Sequence, residues 1–190
     1  MQDIITYKRA ALNNYRLILD TPVAVKRKIA DISTRLDALF PGTPLAGSNS
    51  VIYLASFSVY EPDEMAVTDQ LHRVALATMP WKIHLKGVTH LEKKEIYIPV
   101  TERDRVNALI EKIAALPASW SNERFNTLPR ISLARNLQSW QFERVWPYFE
   151  KDPFQARFIM NGMLLLRQLE GYRSWHVEQR FVFENQLIID

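Results

Sequence analysis

Apolar residues recur with two different periods along the chain, and their alternation predicts an α+β protein. Spacings of three and four residues predict amphipathic helices over residues 22–39, 62–79, 101–116 and 138–150. Runs rich in β-branched and aromatic residues predict strands over 15–19, 51–59, 81–91, 95–100, 128–135, 158–166 and 175–183. The last two strands are expected to form a hairpin around Glu170-Gly171. The pattern indicates two similar α+β halves that are joined by a polar loop over 117–127.

Two sequence details refine the ends of these elements. Pro22 is suited to the start of the first helix, since its missing N–H is not needed there. Thr101 and Asp104 have the spacing of a capping box at the start of the third helix. Residues 1–14 and 186–190 fall outside the periodic segments, so we expect them to be peripheral to a single bilobal domain that spans 1–190.

The composition excludes several kinds of site. The 190 residues are 47% hydrophobic and 24% charged, which is ordinary for a globular protein that buries its own core. The absence of cysteine excludes disulfides, thiolate catalysis and zinc–sulfur sites, and it is consistent with a cytoplasmic location. No apolar run reaches the ~18 residues of a membrane span. A net charge of +3 gives no long-range attraction to nucleic acid, and we expect no DNA partner.

Two predicted strands carry the candidate chemistry. One is Val51-Ile52-Tyr53-Leu54-Ala55-Ser56-Phe57, and the other is Pro129-Arg130-Ile131-Ser132-Leu133-Ala134-Arg135. Alternate residues of a strand point to the same face, so positions 51 and 53 share one face, and so do 130 and 132. Each strand is followed by an amphipathic helix. The arrangement predicts a cleft between two lobes, with one residue pair from each lobe lining it.

These two segments resemble the motifs of the 2H phosphoesterase superfamily, specifically the bacterial 2′-5′ RNA ligase-like proteins. The first family motif is His-hydrophobic-Thr-Leu, often followed by Ala-Asn/Ser-Phe. The second is Pro-His-hydrophobic-Thr/Ser-Leu-Ala-Arg, from which 129–135 departs only at the histidine. The resemblance extends from about Tyr15 to Phe183. It implies antiparallel sheets around a central cleft with helices outside, and activity on 2′,3′-cyclic phosphates or in 2′-5′ joining of RNA ends. No metal or organic cofactor is implied.

The departures from these motifs fall on the residues that the family chemistry needs. Two imidazoles would exchange protons with the attacking and leaving oxygens, but Val51 and Arg130 occupy their positions. Valine has no exchangeable proton, and a guanidinium stays protonated at physiological pH. Tyr53 replaces the first threonine, and Ser132 is retained. We therefore expect no catalytic residue, no metal and no cofactor, and a cleft that binds an RNA or nucleotide phosphate through Tyr53, Arg130 and Ser132.

Other interpretations of these residues remain open. Arg130 has either the role of a phosphate clamp or that of a partner to a nearby carboxylate, and Tyr53 either contacts a ligand or packs. An active enzyme with relocated chemistry could use His84, which shares a strand face with Lys82 and Lys86. A third alternative is an interaction scaffold with a filled cleft. The sequence also favours core or lobe-interface roles for Trp120, Trp140, Trp146 and Trp175.

Overall fold

Ten strands and four α-helices occupy residues 9–45, 50–151 and 153–186, which are the part of the chain that the computed structural model describes. The helices are α1 (Val23–Leu39), α2 (Glu64–Leu76), α3 (Arg103–Ala114) and α4 (Ser139–Lys151), and a short 3₁₀ turn, Glu61–Asp63, precedes α2. The first strands are β1 (Leu12–Asp20), β2 (Val51–Tyr60), β3 (Trp81–Lys86), β4 (Thr89–Leu91) and β5 (Glu95–Pro99). The remaining strands are β6 (Ser121–Phe125), β7 (Arg130–Ala134), β8 (Gln155–Met160), β9 (Gly162–Gln168) and β10 (His176–Val182). The α+β class is confirmed.

The strands pair in two groups. One is a five-stranded sheet with the order β10-β9-β1-β2-β6, and the other consists of β3-β8 and β4-β5-β7. A bridge between Leu85 and Val100 joins the two smaller sheets, and the Thr101 N–H donates to the His84 carbonyl across the same seam at 2.9 Å. Each group draws strands from both halves of the chain. The interpretation as two consecutive halves is therefore wrong, because the chain crosses between the groups more than once.

Several predicted boundaries are corrected by this pairing. The strand predicted over 158–166 is interrupted at Asn161. Its first part, β8, pairs with β3, whereas its second part, β9, pairs with β1 and β10. The supposed loop over 117–127 contains β6, which forms the edge of the large sheet beside β2. The strand over 81–91 is interrupted near Gly87, whose φ of 76° lies in the left-handed region that glycine adopts readily. The hairpin of β9 and β10 around Glu170-Gly171 is confirmed.

Two expectations about the ends of elements also change. Leu12, Asn13 and Asn14 belong to β1, and Asn13 is buried, so the segment before Tyr15 is not wholly peripheral. Residues 1–8 and 187–190 lie outside the described residues. The capping box is wrong, since Glu102 is at the N-cap of α3 without a side-chain hydrogen bond to the helix. No helix in the described ranges is both long and apolar enough to cross a membrane.

The core follows the predicted apolar faces. Val25, Ile29 and Leu36 of α1 are buried, whereas Leu39 is 47% exposed at the end of the helix. On β2, Ile52 and Leu54 are buried while Val51 and Tyr53 are only partly covered. The alternation thus places the apolar residues of β2 in the core and leaves positions 51 and 53 facing open space, as the strand period predicts.

Candidate functional site

The motif positions come together in one cleft, which we define as three adjoining cavities that all share Arg16 and Tyr53. Their volumes are about 450, 310 and 590 Å³. Arg130 lines the first, and Val51 and Ser132 line the third. The two motif strands line the cleft from opposite sides because they belong to different groups of strands. β7 pairs with β5 in one group, and β2 lies in the five-stranded sheet.

Glu95, a carboxylate that the sequence analysis did not single out, lines the first of these cavities beside Arg130. Arg130 donates from Nε to Glu95 Oε1 at 3.0 Å and from Nη2 to Oε2 at 2.7 Å. The Ser132 hydroxyl donates to Glu95 Oε1 as well, and Arg135 Nε lies 3.6 Å from that oxygen. Arg130 also donates from Nη1 to the Leu128 carbonyl at 3.2 Å. Of the two interpretations of Arg130, pairing with a carboxylate is the one that the structure contains.

The surroundings of Glu95 keep it ionised. Burial by itself would raise the pKa of this carboxyl group, but hydrogen bonds from Arg130 and Ser132 and the charges of Arg130 and Arg135 outweigh burial. The net result is a pKa below the ordinary value. The Glu95 carboxylate therefore stays negatively charged. It accepts hydrogen bonds from Arg130 and Ser132, whose donor groups could otherwise bind an anion.

The cleft is nevertheless positively charged. Five cationic side chains and two carboxylates line the three cavities. Lys26 pairs with Asp20 at 2.6 Å, and Arg130 pairs with Glu95, so both carboxylates are already compensated. The surplus consists of Arg16, Arg124 and Arg135. The Arg135 side chain is 60% exposed, and among the described residues its one ion pair is the 3.6 Å contact to Glu95.

Aromatic rings flank one of these surplus charges. The Arg16 guanidinium lies 4.0 Å from the Trp175 ring centroid and 5.7 Å from that of Tyr53. Burial raises the pKa of Tyr53, although the charges of Arg16 and Arg135 act in the opposite direction, so its phenol is neutral near pH 7. The Trp175 ring also lines two of the three cavities of the cleft. This position corrects the prediction that Trp175 is an anchor of the core or of a lobe interface.

The core role predicted for Trp120 and Trp146 is confirmed, whereas the one predicted for Trp140 is wrong. Trp120 and Trp146 pack against the core, as expected. Trp140 is 59% exposed and is therefore not a core anchor. None of these three lines the cleft.

His84 lies outside the cleft. It shares the outer face of β3 with Lys82 and Lys86, as predicted, and its Nδ1 lies 2.5 Å from Glu102 Oε1. The cavity that it lines has no residue in common with the cleft. Among the described residues no histidine lines the cleft, and no group of three or more His, Cys, Asp or Glu side chains could hold a metal ion.

Comparisons with known proteins agree with this fold. The family model described as the 2′-5′ RNA ligase superfamily matches residues 52–171. The structure of E. coli LigT complexed with 3′-AMP aligns with a TM-score of 0.61 at 16% identity, covering 90% of this chain and 98% of that chain. TT0787 of Thermus thermophilus aligns with a TM-score of 0.54 at 16% identity, covering 92% of this chain and 100% of that chain. A search of the curated proteins finds no significant match.

Proposed function

Since the chain belongs to the 2′-5′ RNA ligase superfamily of 2H phosphoesterases, we propose that it is a degenerate member which binds a nucleotide or RNA phosphate without the standard phosphodiesterase or ligase activity. The observation that carries this proposal is the surplus of Arg16, Arg124 and Arg135 in a cleft whose two histidine positions hold Val51 and Arg130. The charge needed to hold an anion is retained, whereas the groups that move protons are replaced.

None of the groups at the motif positions is suited to proton transfer near neutral pH. Val51 has no titratable group, and Arg130 is a permanent cation that is bound to Glu95. The phenol of Tyr53 is already protonated near neutral pH, and burial raises its pKa further. A general acid or base typically contributes roughly 10²–10⁴ in rate, so the loss of two removes most of the family's acceleration.

The residues of the cleft divide into two roles in this proposal. Arg124 and Arg135 contact the ligand phosphate directly, because guanidinium groups form paired, charge-assisted hydrogen bonds with phosphate oxygens. The Tyr53 hydroxyl donates a hydrogen bond to the same phosphate group. Arg130 and Ser132 act mainly by holding Glu95, since both already donate to it. LigT was crystallised with 3′-AMP, with ATP and with phosphate, which supports a nucleotide phosphate as the ligand class.

Removal of the surplus charge is expected to weaken ligand binding. Calorimetric titration of 3′-AMP and of a short single-stranded RNA should show that Arg135→Ala and Arg124→Ala each raise the Kd about tenfold, as expected for the loss of a charged hydrogen bond. Arg105→Ala removes an exposed arginine of α3 that does not line the cleft and should leave the Kd unchanged.

Two results would count against the proposal. Identical Kd values for the wild type and an Arg124→Ala/Arg135→Ala double variant, or no binding at all, would remove the binding function. Turnover of 2′,3′-cyclic AMP by the wild type above the buffer rate would refute the loss of catalysis while leaving the binding result to stand separately.

The Trp175 side chain is expected to distinguish nucleotides from bare phosphate. Stacking of a base on an aromatic ring is worth about 1–3 kcal/mol, so Trp175→Ala should weaken 3′-AMP binding by roughly 5- to 150-fold. The affinity for inorganic phosphate should change little, because the guanidinium groups remain. Trp140→Ala is the matched control, since Trp140 is 59% exposed and does not line the cleft. Equal losses for 3′-AMP and phosphate would contradict a stacking role.

A further inference from the structure

A second group of cations covers the outer face of the β3-β8 pair. Alternation leaves Lys82, His84 and Lys86 of β3 outward, and Arg157 lies directly opposite His84 in the register. Lys28 approaches the same strand pair and donates from Nζ to the Gln155 carbonyl at 2.9 Å. Lys28, Lys82, Lys86 and Arg157 therefore concentrate positive charge at this strand pair, and an anion bound there would reduce their mutual repulsion.

The Glu102 carboxylate, which contacts this face, is engaged by His84 through both oxygens. Glu102 accepts the His84 backbone N–H at 2.7 Å with Oε2 and the ring Nδ1 with Oε1. Burial would raise the pKa of Glu102, but its hydrogen bonds from His84 outweigh burial and lower it. The interaction fixes the imidazole through Nδ1 and leaves Nε2 for another partner. The side chains of Arg157 and Lys86 make no hydrogen bond or ion pair within the described ranges.

A cavity of about 520 Å³ lies at this face, and its polar lining comprises His84, Lys86, Thr101, Gln155 and Arg157. We propose that it is a second binding site for a phosphate group, separate from the cleft and independent of the function proposed for it. Arg157 and Lys86 supply the charge, the Thr101 hydroxyl supplies a donor, and the His84 ring, which lines the same cavity, lies beside the bound phosphate. Inorganic phosphate and the backbone of single-stranded RNA both carry the anionic phosphate oxygens that these groups would bind.

The site is tested in the Arg124→Ala/Arg135→Ala background, in which the cleft is weakened. The side-chain ¹H–¹⁵N signals of the histidines are recorded while inorganic phosphate is added, and a short single-stranded RNA replaces phosphate in a second arm. Saturable shifts of the His84 ring are expected, while exposed His176 should not respond in the same way. Arg157→Ala should weaken the apparent affinity at least about fivefold. Arg180→Ala, which removes an exposed strand arginine from β10, should not.

The arms separate the two ligand sources. Saturation by phosphate alone identifies a small anion, and saturation by RNA at lower concentration identifies a nucleic-acid backbone. The absence of a saturable His84 shift with either ligand, or the same affinity in Arg157→Ala and Arg180→Ala, would overturn the second site. Failure of the cleft would instead appear as identical 3′-AMP Kd values for the wild type and the Arg124→Ala/Arg135→Ala variant, so the two proposals fail independently.

Discussion

Replacement of Glu95 by alanine is expected to increase the affinity of the cleft for phosphate at least about tenfold and to lower the free energy of unfolding by about 3 kcal/mol. Both effects have one cause. Glu95 and Arg130 have side chains that are only 13% and 22% exposed, and removal of the carboxylate leaves the guanidinium unpaired in a partly desolvated place. A phosphate from solution can then take the position of the carboxylate between Arg130, Ser132 and Arg135.

Calorimetric titration of phosphate and urea denaturation with and without phosphate measure the two effects. Added phosphate should restore more of the lost stability in Glu95→Ala than it adds to the wild type, because a ligand of the folded state stabilises it. Glu178→Ala is the control, since Glu178 forms an arginine pair with Arg167 outside the cleft. An unchanged phosphate affinity in Glu95→Ala would show that the carboxylate does not compete for the anion-binding donors.

The pH dependence of this variant has a definite sign. The pKa of Glu95 is lower in the folded protein than its ordinary value, so the carboxylate contributes stability that is fully present above the ordinary pKa. That contribution is lost as the pH falls through the lower folded value. The stability difference between the wild type and Glu95→Ala should therefore be largest near neutral pH and shrink in acid.

Gly162→Ala is expected to lower the free energy of unfolding by about 3 kcal/mol, or to prevent folding, because no space exists for a side chain there. A Cβ at this position would lie 2.4 Å from the Phe181 carbonyl oxygen on the neighbouring strand. The obstacle is backbone, so β9 and β10 must separate.

Gly171→Ala provides the comparison for this prediction. Gly171 has a φ of 82°, but a Cβ there would meet nothing within 4 Å. The expected cost is therefore only the left-handed backbone strain of about 1–2 kcal/mol. Urea denaturation of both variants measures the difference, and an equal or smaller loss in Gly162→Ala would show that the close approach of the two strands is easily relieved.

The sequence predicted those features that depend on residues close together in the chain. The period of β2 placed Val51 and Tyr53 on one face, and the spacing of Val25, Ile29 and Leu36 identified the buried side of α1. These features follow from the geometry of a single element. The arrangement of antiparallel sheets around the cleft with helices outside was reached through the motif resemblance, which depends on the segments 51–57 and 129–135.

The unforeseen features depend on pairings between distant strands. Glu95 meets Arg130 and Ser132 because β5 lies beside β7, and nothing in the local sequence of β5 indicates that neighbour. The one available signal is the alternation of Glu95, Tyr97 and Pro99 with buried Ile96 and Ile98, which places the carboxylate on the open face of its strand. The position of Trp175 beside Arg16 likewise requires the order of the five-stranded sheet.

The position of β1 between β9 and β2 has a consequence for the way in which the protein is made. On a ribosome, β1 and β2 emerge early and can pair with each other, but β9, the neighbour on the other side of β1, is translated only near the end. Until then one edge of β1, with the apolar residues Leu17 and Leu19, has no neighbour, and the nascent chain offers it to other polypeptides. Synthesis that stalls before Gly162 should therefore leave an aggregation-prone intermediate.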